Sequence, residues 1–130
     1  MASSKVVVDS DVLINVLRGD EALADALGRL ADEGLVAVTP ISIAEIFGGM
    51  RPDEEARTRL MLKPLDCLKL TREIGEVAGG FLSRFRRSHG LEIGDAMIAA
   101  CAYVDNRQLW TFNRKHFPMR EVRFFSLRLQ

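Results

Sequence analysis

The sequence predicts an α/β protein, a mainly parallel sheet with helices on both faces, built as a single domain. Two short aliphatic runs, "VVV" at 6–8 and "LVAV" at 35–38, lack the apolar–polar alternation of a half-exposed strand and read as strands buried on both faces. Between and after them lie segments whose apolar residues recur at three- and four-residue intervals, as in amphipathic helices. No repeat, low-complexity tract or Pro/Gly/Ser-rich linker divides the 130 residues, so one core is expected.

Each element has a local reason. The run at 6–8 is β-branched, short and uninterrupted. Residues 10–17 place Leu13, Val16 and Leu17 at helical intervals, with Gly19 as a stop. Asp20 caps a second helix with Leu23, Ala26, Leu27 and Leu30 on one face, ending near Gly34. After the strand at 35–38, Thr39-Pro40 supplies an N-cap and a first-turn proline for a helix carrying "ISIAEIFGGM". Pro52-Asp53-Glu54-Glu55 opens another helix with acids at its positive end. "LDCLKL" (65–70) is a candidate short strand. Thr71 starts a long helix through Ile74, Val77, Ala78, Phe81, Leu82 and Phe85, ending in "RFRRSHG". Residues 91–104 form a helix with a small, apolar body. "LWT" (109–111) and "VRFF" (122–125) are expected to close the chain as strands.

The apolar share of 48% and charged share of 28% are those of an ordinary globule. No apolar run reaches the roughly 18 residues of a membrane span. The opening residues 1–5 are too short and polar for a signal peptide, so a cytoplasmic protein with no membrane partner is expected. Cys67 and Cys101 lack metal-ligand spacing and read as reduced thiols, Cys101 as core packing. Net charge is zero but unevenly spread. Residues 1–65 carry 7 basic and 11 acidic side chains, a net of −4, and residues 66–130 carry 11 and 7, a net of +4. Zero overall charge argues against a general-purpose nucleic-acid coat, and a basic half beside an acidic half is compatible with a phosphate-binding rim around an acidic centre.

Three carboxylates stand in apolar company. Asp9 ends the first strand, Glu45 lies in "ISIAEIFGG", and Asp95 lies in "EIGDAMIAACA". An ionised carboxylate among apolar neighbours is costly unless paired, hydrogen-bonded or bound to a cation. No Lys or Arg lies within five residues of Glu45 or Asp95; Arg51 falls just beyond. Gly48 and Gly49 follow Glu45 on its helix face, and Ile98, Ala99 and Ala102 follow Asp95, mostly small residues that leave room for an ion and a phosphate. In parallel sheets, sites form beyond the carboxyl ends of the strands, where Asp9 sits. Hard carboxylate oxygens without His or Cys neighbours select Mg²⁺ or Mn²⁺ over zinc. His89 and His116 are isolated in the sequence and read as surface or phosphate-side residues.

These segments resemble, in order and along nearly the whole chain, the four motifs of the PIN-domain family, in particular its VapC-type toxin ribonucleases. "VVVDSDVLINVLRG" resembles the opening strand and helix, "TPISIAEIFGGM" the second motif, "HGLEIGDAMIAACA" the third and "LWTFNRKHF" the fourth. The resemblance implies a PIN-like fold and Mg²⁺- or Mn²⁺-dependent endonucleolytic cleavage of RNA. It implies Asp9, Glu45 and Asp95 as metal ligands and Asn113 as the fourth corner. Many relatives carry an acid at that corner, and a neutral amide is a weaker ligand for a second metal. Ser10 and Thr111 would be hydroxyl donors near the site. Asp11 would be a supporting acid or the cap of the following helix. Arg84, Arg86, Arg87, Arg114 and Lys115 are candidates for gripping the RNA backbone. The resemblance also implies a homodimer and a small VapB-type antitoxin that masks the site. Leu60, Met61, Leu62, Phe81 and Phe85 offer apolar surface for such contacts. Two rivals stand beside this reading. One is a non-catalytic PIN-like module that binds a partner or nucleic acid. The other is a haloacid-dehalogenase-type phosphatase, whose Asp-x-Asp motif "VVVDSDVL" also fits, although the acid it needs after "GD" is missing at Ile98, Ala99 and Ala100.

Overall fold

The computed structural model describes residues 5–127; residues 1–4, most of the polar opening stretch, lie outside it. Four parallel strands form one sheet in the order β3-β2-β1-β4: β1 Val6–Val8, β2 Val36–Val38, β3 Asp66–Cys67 and β4 Gln108–Trp110. β1 is central, with Val6 opposite Val36 on one side and Gln108 on the other. Among the described residues, six α-helices complete the fold: α1 Ser10–Leu17, α2 Glu21–Asp32, α3 Pro40–Gly49, α4 Glu55–Leu62, α5 Arg72–His89 and α6 Ile93–Val104. Among the described residues, no helix is long and apolar enough to cross a membrane.

The strand pleat divides the core in two. Val7 and Leu109 point to one face and pack with Ile74, Ala78 and Phe81 of α5 and the buried body of α6. Val6, Val8, Val36, Val38 and Trp110 point to the other and pack with Val12, Leu13, Leu23, Leu27 and Ile46 from α1, α2 and α3. A strand buried on both faces has no polar position to spare, which is why these runs do not alternate. α6 is buried nearly all round through Ala96, Ile98, Ala99, Ala100, Cys101 and Ala102, and its small side chains let it sit against β1, β4, α3 and α5 together. Cys101 is fully buried, as expected, and burial pushes its thiol up to about 11.

Capping follows the sequence. Asp20, Thr39 and Thr71 accept from the backbone N–H of Leu23, Ser42 and Ile74 at the starts of α2, α3 and α5. Gly90 ends α5 in the left-handed region at φ 64°, where a side chain is disfavoured.

Four expectations change. The run at 122–125 is not a strand: a single parallel bridge joins Leu109 to Phe124, held by Leu109 N–H to Arg123 O and Phe125 N–H to Leu109 O. Its side chains are claimed by both layers, Val122 and Phe124 by one and Phe125 by the other, rather than by a longer ladder. The strand at 65–70 shrinks to Asp66–Cys67 on the sheet edge. The helix at 91–104 starts at Ile93, because Leu91 is drawn into the core beside α5. The proline-opened helix begins as a tight turn, Pro52–Glu54, before α4. The expected apolar surface also thins. Phe81 is core, Met61, Leu62 and Phe85 are packed against it in part, and only Leu60 of the five is fully exposed.

Candidate metal centre

The carboxyl ends of β1, β2 and β4 deliver Asp9, the Thr39-capped start of α3, and Thr111 to one edge of the sheet. α3 carries Glu45 to this edge and the first turn of α6 carries Asp95. Asp9 is 6% exposed. Its Oδ1 accepts from Ser10 N–H at 2.8 Å, which also caps α1, and its Oδ2 accepts from Thr111 Oγ1 at 2.9 Å. The Ser10 hydroxyl donates to Glu45 Oε1 at 3.3 Å, so one residue touches both acids.

Asp11 is not the helix cap, a place taken by Asp9. Its Oδ2 accepts from Asn113 Nδ2 at 2.9 Å, Phe112 N–H at 3.0 Å and Thr111 Oγ1 at 3.3 Å. Thr111 Oγ1 in turn accepts from Asn113 N–H at 3.0 Å. The loop after β4 is thus folded around Asp11, and the fourth-corner candidate Asn113 presents its NH₂ group to that carboxylate.

The charges disturb one another. Burial, with the Asp11 charge next, pushes Asp9 up to about 6 against the lowering effect of its two hydrogen bonds. Burial raises Glu45, opposed by the Ser10 bond and aided by the charges of Asp95, Asp11 and Glu92. Burial also raises Asp95; His116 opposes it, and Glu92 and Asp11 reinforce it. Three acids each held above its ordinary value gather negative charge that burial and mutual repulsion disfavour, a situation that a bound cation would relieve. Among the described residues, no three His, Cys, Asp or Glu side chains stand ready-made around an ion. The donor set still fits a hard divalent cation: anionic oxygens converge, and Asp11 Oδ1 is buried with no hydrogen-bond partner. Glu45 is exposed and Asp95 half-buried, so both side chains have room to turn inward.

Several residues differ from their sequence reading. His116 is not isolated: its Nδ1 lies 3.8 Å from Asp95 Oδ2, because the turn Arg114–His116 folds back toward α6. Glu92 was not foreseen, although its place one helical turn before Asp95 was a visible signal. Arg84 is engaged by Glu121 at 2.6 and 3.3 Å, holding that carboxyl below its usual range. Arg114 donates to Ser126 Oγ at 2.8 Å and lies over the Phe124 ring. These two arginines are structural contacts in this state. Arg86, Arg87 and Lys115 are exposed. Arg107, unremarked in the sequence, is buried and pairs with Asp105 while donating to Val6 O, tying α6 to the sheet.

The family model for the PIN domain matches residues 6–124. A curated relative, Ribonuclease VapC10 of Mycobacterium tuberculosis, is 42% identical over 117 residues, covering 89% of this chain and 88% of its own. Among solved structures, a toxin–antitoxin complex from Klebsiella pneumoniae is 25% identical at a TM-score of 0.73, covering 91% of this chain and 95% of that one. DNA-bound VapBC from Salmonella typhimurium, 17% identical, has the same fold at a TM-score of 0.81, covering 95% and 98%. The match removes the phosphatase rival. VapC ribonucleases with this domain generally depend on a divalent metal. A continuous match from β1 through the loop after β4, with a ribonuclease relative along nearly its full length, makes this chain a member of the PIN-domain family, among its VapC-type ribonucleases.

Proposed function

We propose that this protein is an endoribonuclease of the VapC type, the toxin of a toxin–antitoxin pair, acting in the cytoplasm with Mg²⁺ or Mn²⁺. The observation that carries this reading is the convergence of Asp9, Glu45 and Asp95, all with raised proton affinity, at the carboxyl edge of the sheet. Asp9, Glu45 and Asp95 would hold the cation. When bound, a divalent cation supplies a Lewis acid that makes water more acidic and offsets charge gathering on the scissile phosphate.

The chain's own residues prepare that chemistry. Ser10 N–H and the Thr111 hydroxyl fix Asp9 at the end of β1, and the Ser10 hydroxyl steadies Glu45. Gly48 and Gly49 keep the α3 surface beyond Glu45 low enough for a sugar–phosphate chain to approach. Arg86, Arg87 and Lys115 are free to meet RNA phosphates. Arg84 joins them only by giving up Glu121. A homodimer and a small VapB-type antitoxin as partners follow from the same family membership, and exposed Leu60 on α4 supplies apolar contact area.

The test is cleavage of a mixed RNA pool by the purified chain with Mg²⁺, Mn²⁺ or EDTA, beside Asp95→Asn. Since losing a residue that merely supports a metal ligand lowers activity about 10–100-fold, losing a ligand should reduce cutting by at least about 100-fold. Equal cutting by both proteins, or cutting in EDTA, would sink the assignment. Metal binding without any cleavage would favour the non-catalytic module.

A further inference from the structure

We propose that Asp11, and not Asn113, is the fourth acidic arm of the cation site, and that Asn113 is the positioning residue that holds it. This rests on the reading of the edge as a divalent-cation centre.

The argument begins with hydrogen-bond chemistry. An ionised carboxylate can only accept, so the amide group 2.9 Å from Asp11 Oδ2 must be the Asn113 NH₂. The side chain expected at the ligand corner therefore spends its donor on a neighbouring acid. Asp11 Oδ2 also accepts from Phe112 N–H, and it competes with the nearer Asp9 Oδ2 for the single Thr111 hydroxyl proton. Its other oxygen, Oδ1, collects none and is buried. A carboxylate oxygen withdrawn from solvent without a donor is among the more costly things a fold can keep, and a nearby cation is what relieves it. Asp11 also stands beside Asp9. Thr111 Oγ1 lies between Asp9 Oδ2 and Asp11 Oδ2, holding the two carboxylates side by side. If Asp11 were only an anchor for the loop after β4, a residue of equal shape and no charge would serve as well.

That distinction is measurable by calorimetric titration of Mn²⁺ into the full chain, with thermal melting in EDTA to verify folding. Asp11→Asn keeps an oxygen for Phe112 N–H but loses the charge. It should weaken Mn²⁺ binding by at least about 10-fold more than Asn113→Ala, which removes one of the donors to Asp11 and no charge. The exchange Asp11→Asn with Asn113→Asp restores the charge count and lets the pair bond in reverse, so affinity should return to within about threefold of wild type. Unchanged affinity in Asp11→Asn would overturn the proposal, as would an equal or greater loss in Asn113→Ala. If Asp11→Asn fails to fold, Asn113→Ala decides against Asp95→Asn: a loss as large as that of Asp95→Asn makes Asn113 a ligand and overturns the proposal, and a clearly smaller loss supports it. Wild-type binding that Asp95→Asn abolishes and Asp11→Asn leaves intact refutes only this inference. No Mn²⁺ binding by the wild type refutes the cation centre and this inference with it.

Discussion

Thr111 shows how much of the site hangs on single atoms. Its hydroxyl serves Asp9 and Asp11 and accepts from Asn113 N–H, all while the residue is buried. Thr111→Val keeps the shape and removes that oxygen, leaving polar groups unsatisfied. The expected loss is about 1–3 kcal/mol of stability, read by urea unfolding, together with weaker metal binding. Asp9 sets a pH dependence of the metal-free fold. Its carboxyl ionises near 6 in the folded chain and at 3.8 in the reference state. Between these values the folded chain binds more protons than the unfolded one, so this group's contribution falls as pH rises. The penalty is complete above about pH 6 and absent below pH 3.8. Melting in EDTA should therefore lose a stabilising acid-side component when Asp9→Asn removes the titration. Parallel pH profiles for the two proteins would rule that out.

Among the elements, α5 and α6 carry the most packing on one face of the sheet, and the corner between them aims Asp95. Gly90 makes that corner by adopting φ 64°, and its N–H closes back onto Arg86 O. Gly90→Ala places a side chain in the left-handed region, for about 1–2 kcal/mol of destabilisation. Melting temperature reads this directly, and Mn²⁺ affinity should fall with it, because α6 starts three residues after Gly90. A variant as stable as wild type would mean that the corner relaxes without strain. α1 works differently. Its cap, Asp9, is itself a candidate ligand, so the element start and the site are one structure. A neutral cap at position 9 can be stable and still be inactive.

At the scale of the whole molecule, charge is divided by sequence half. The acids of the site come mostly from the first 65 residues and the exposed cations Arg86, Arg87 and Lys115 from the second half. If these cations contact RNA phosphates, binding weakens with salt, and each contact to a single strand contributes about −0.7 to the slope of log K against log salt. Replacing Arg86 and Arg87 by Ala should flatten the slope by about 1.4. Arg84→Ala should change it little, because that side chain is already paired with Glu121. An unchanged slope in the double variant would move the RNA path away from the end of α5.

What the sequence determined by itself was local. Unalternating strands at 6–8 and 35–38, the caps Asp20, Thr39 and Thr71, and the alanine-rich helix all follow from side chains and their near neighbours, and with them the α/β class and the edge where a site would form. Asp9, Glu45 and Asp95 stood out for the same reason, since a charge in an apolar run is visible without a structure. Only the tertiary structure decided what lies across from what. It turned the 122–125 strand into one bridge, took Arg84 and Arg114 into internal contacts, brought His116 beside Asp95, and set Asn113 against Asp11 about a hundred residues earlier in the chain. Hydrogen bonds and ion pairs act over a few ångströms in space and leave no period or spacing in the sequence. A sequence therefore reports which groups need partners, and the fold chooses which partners they get.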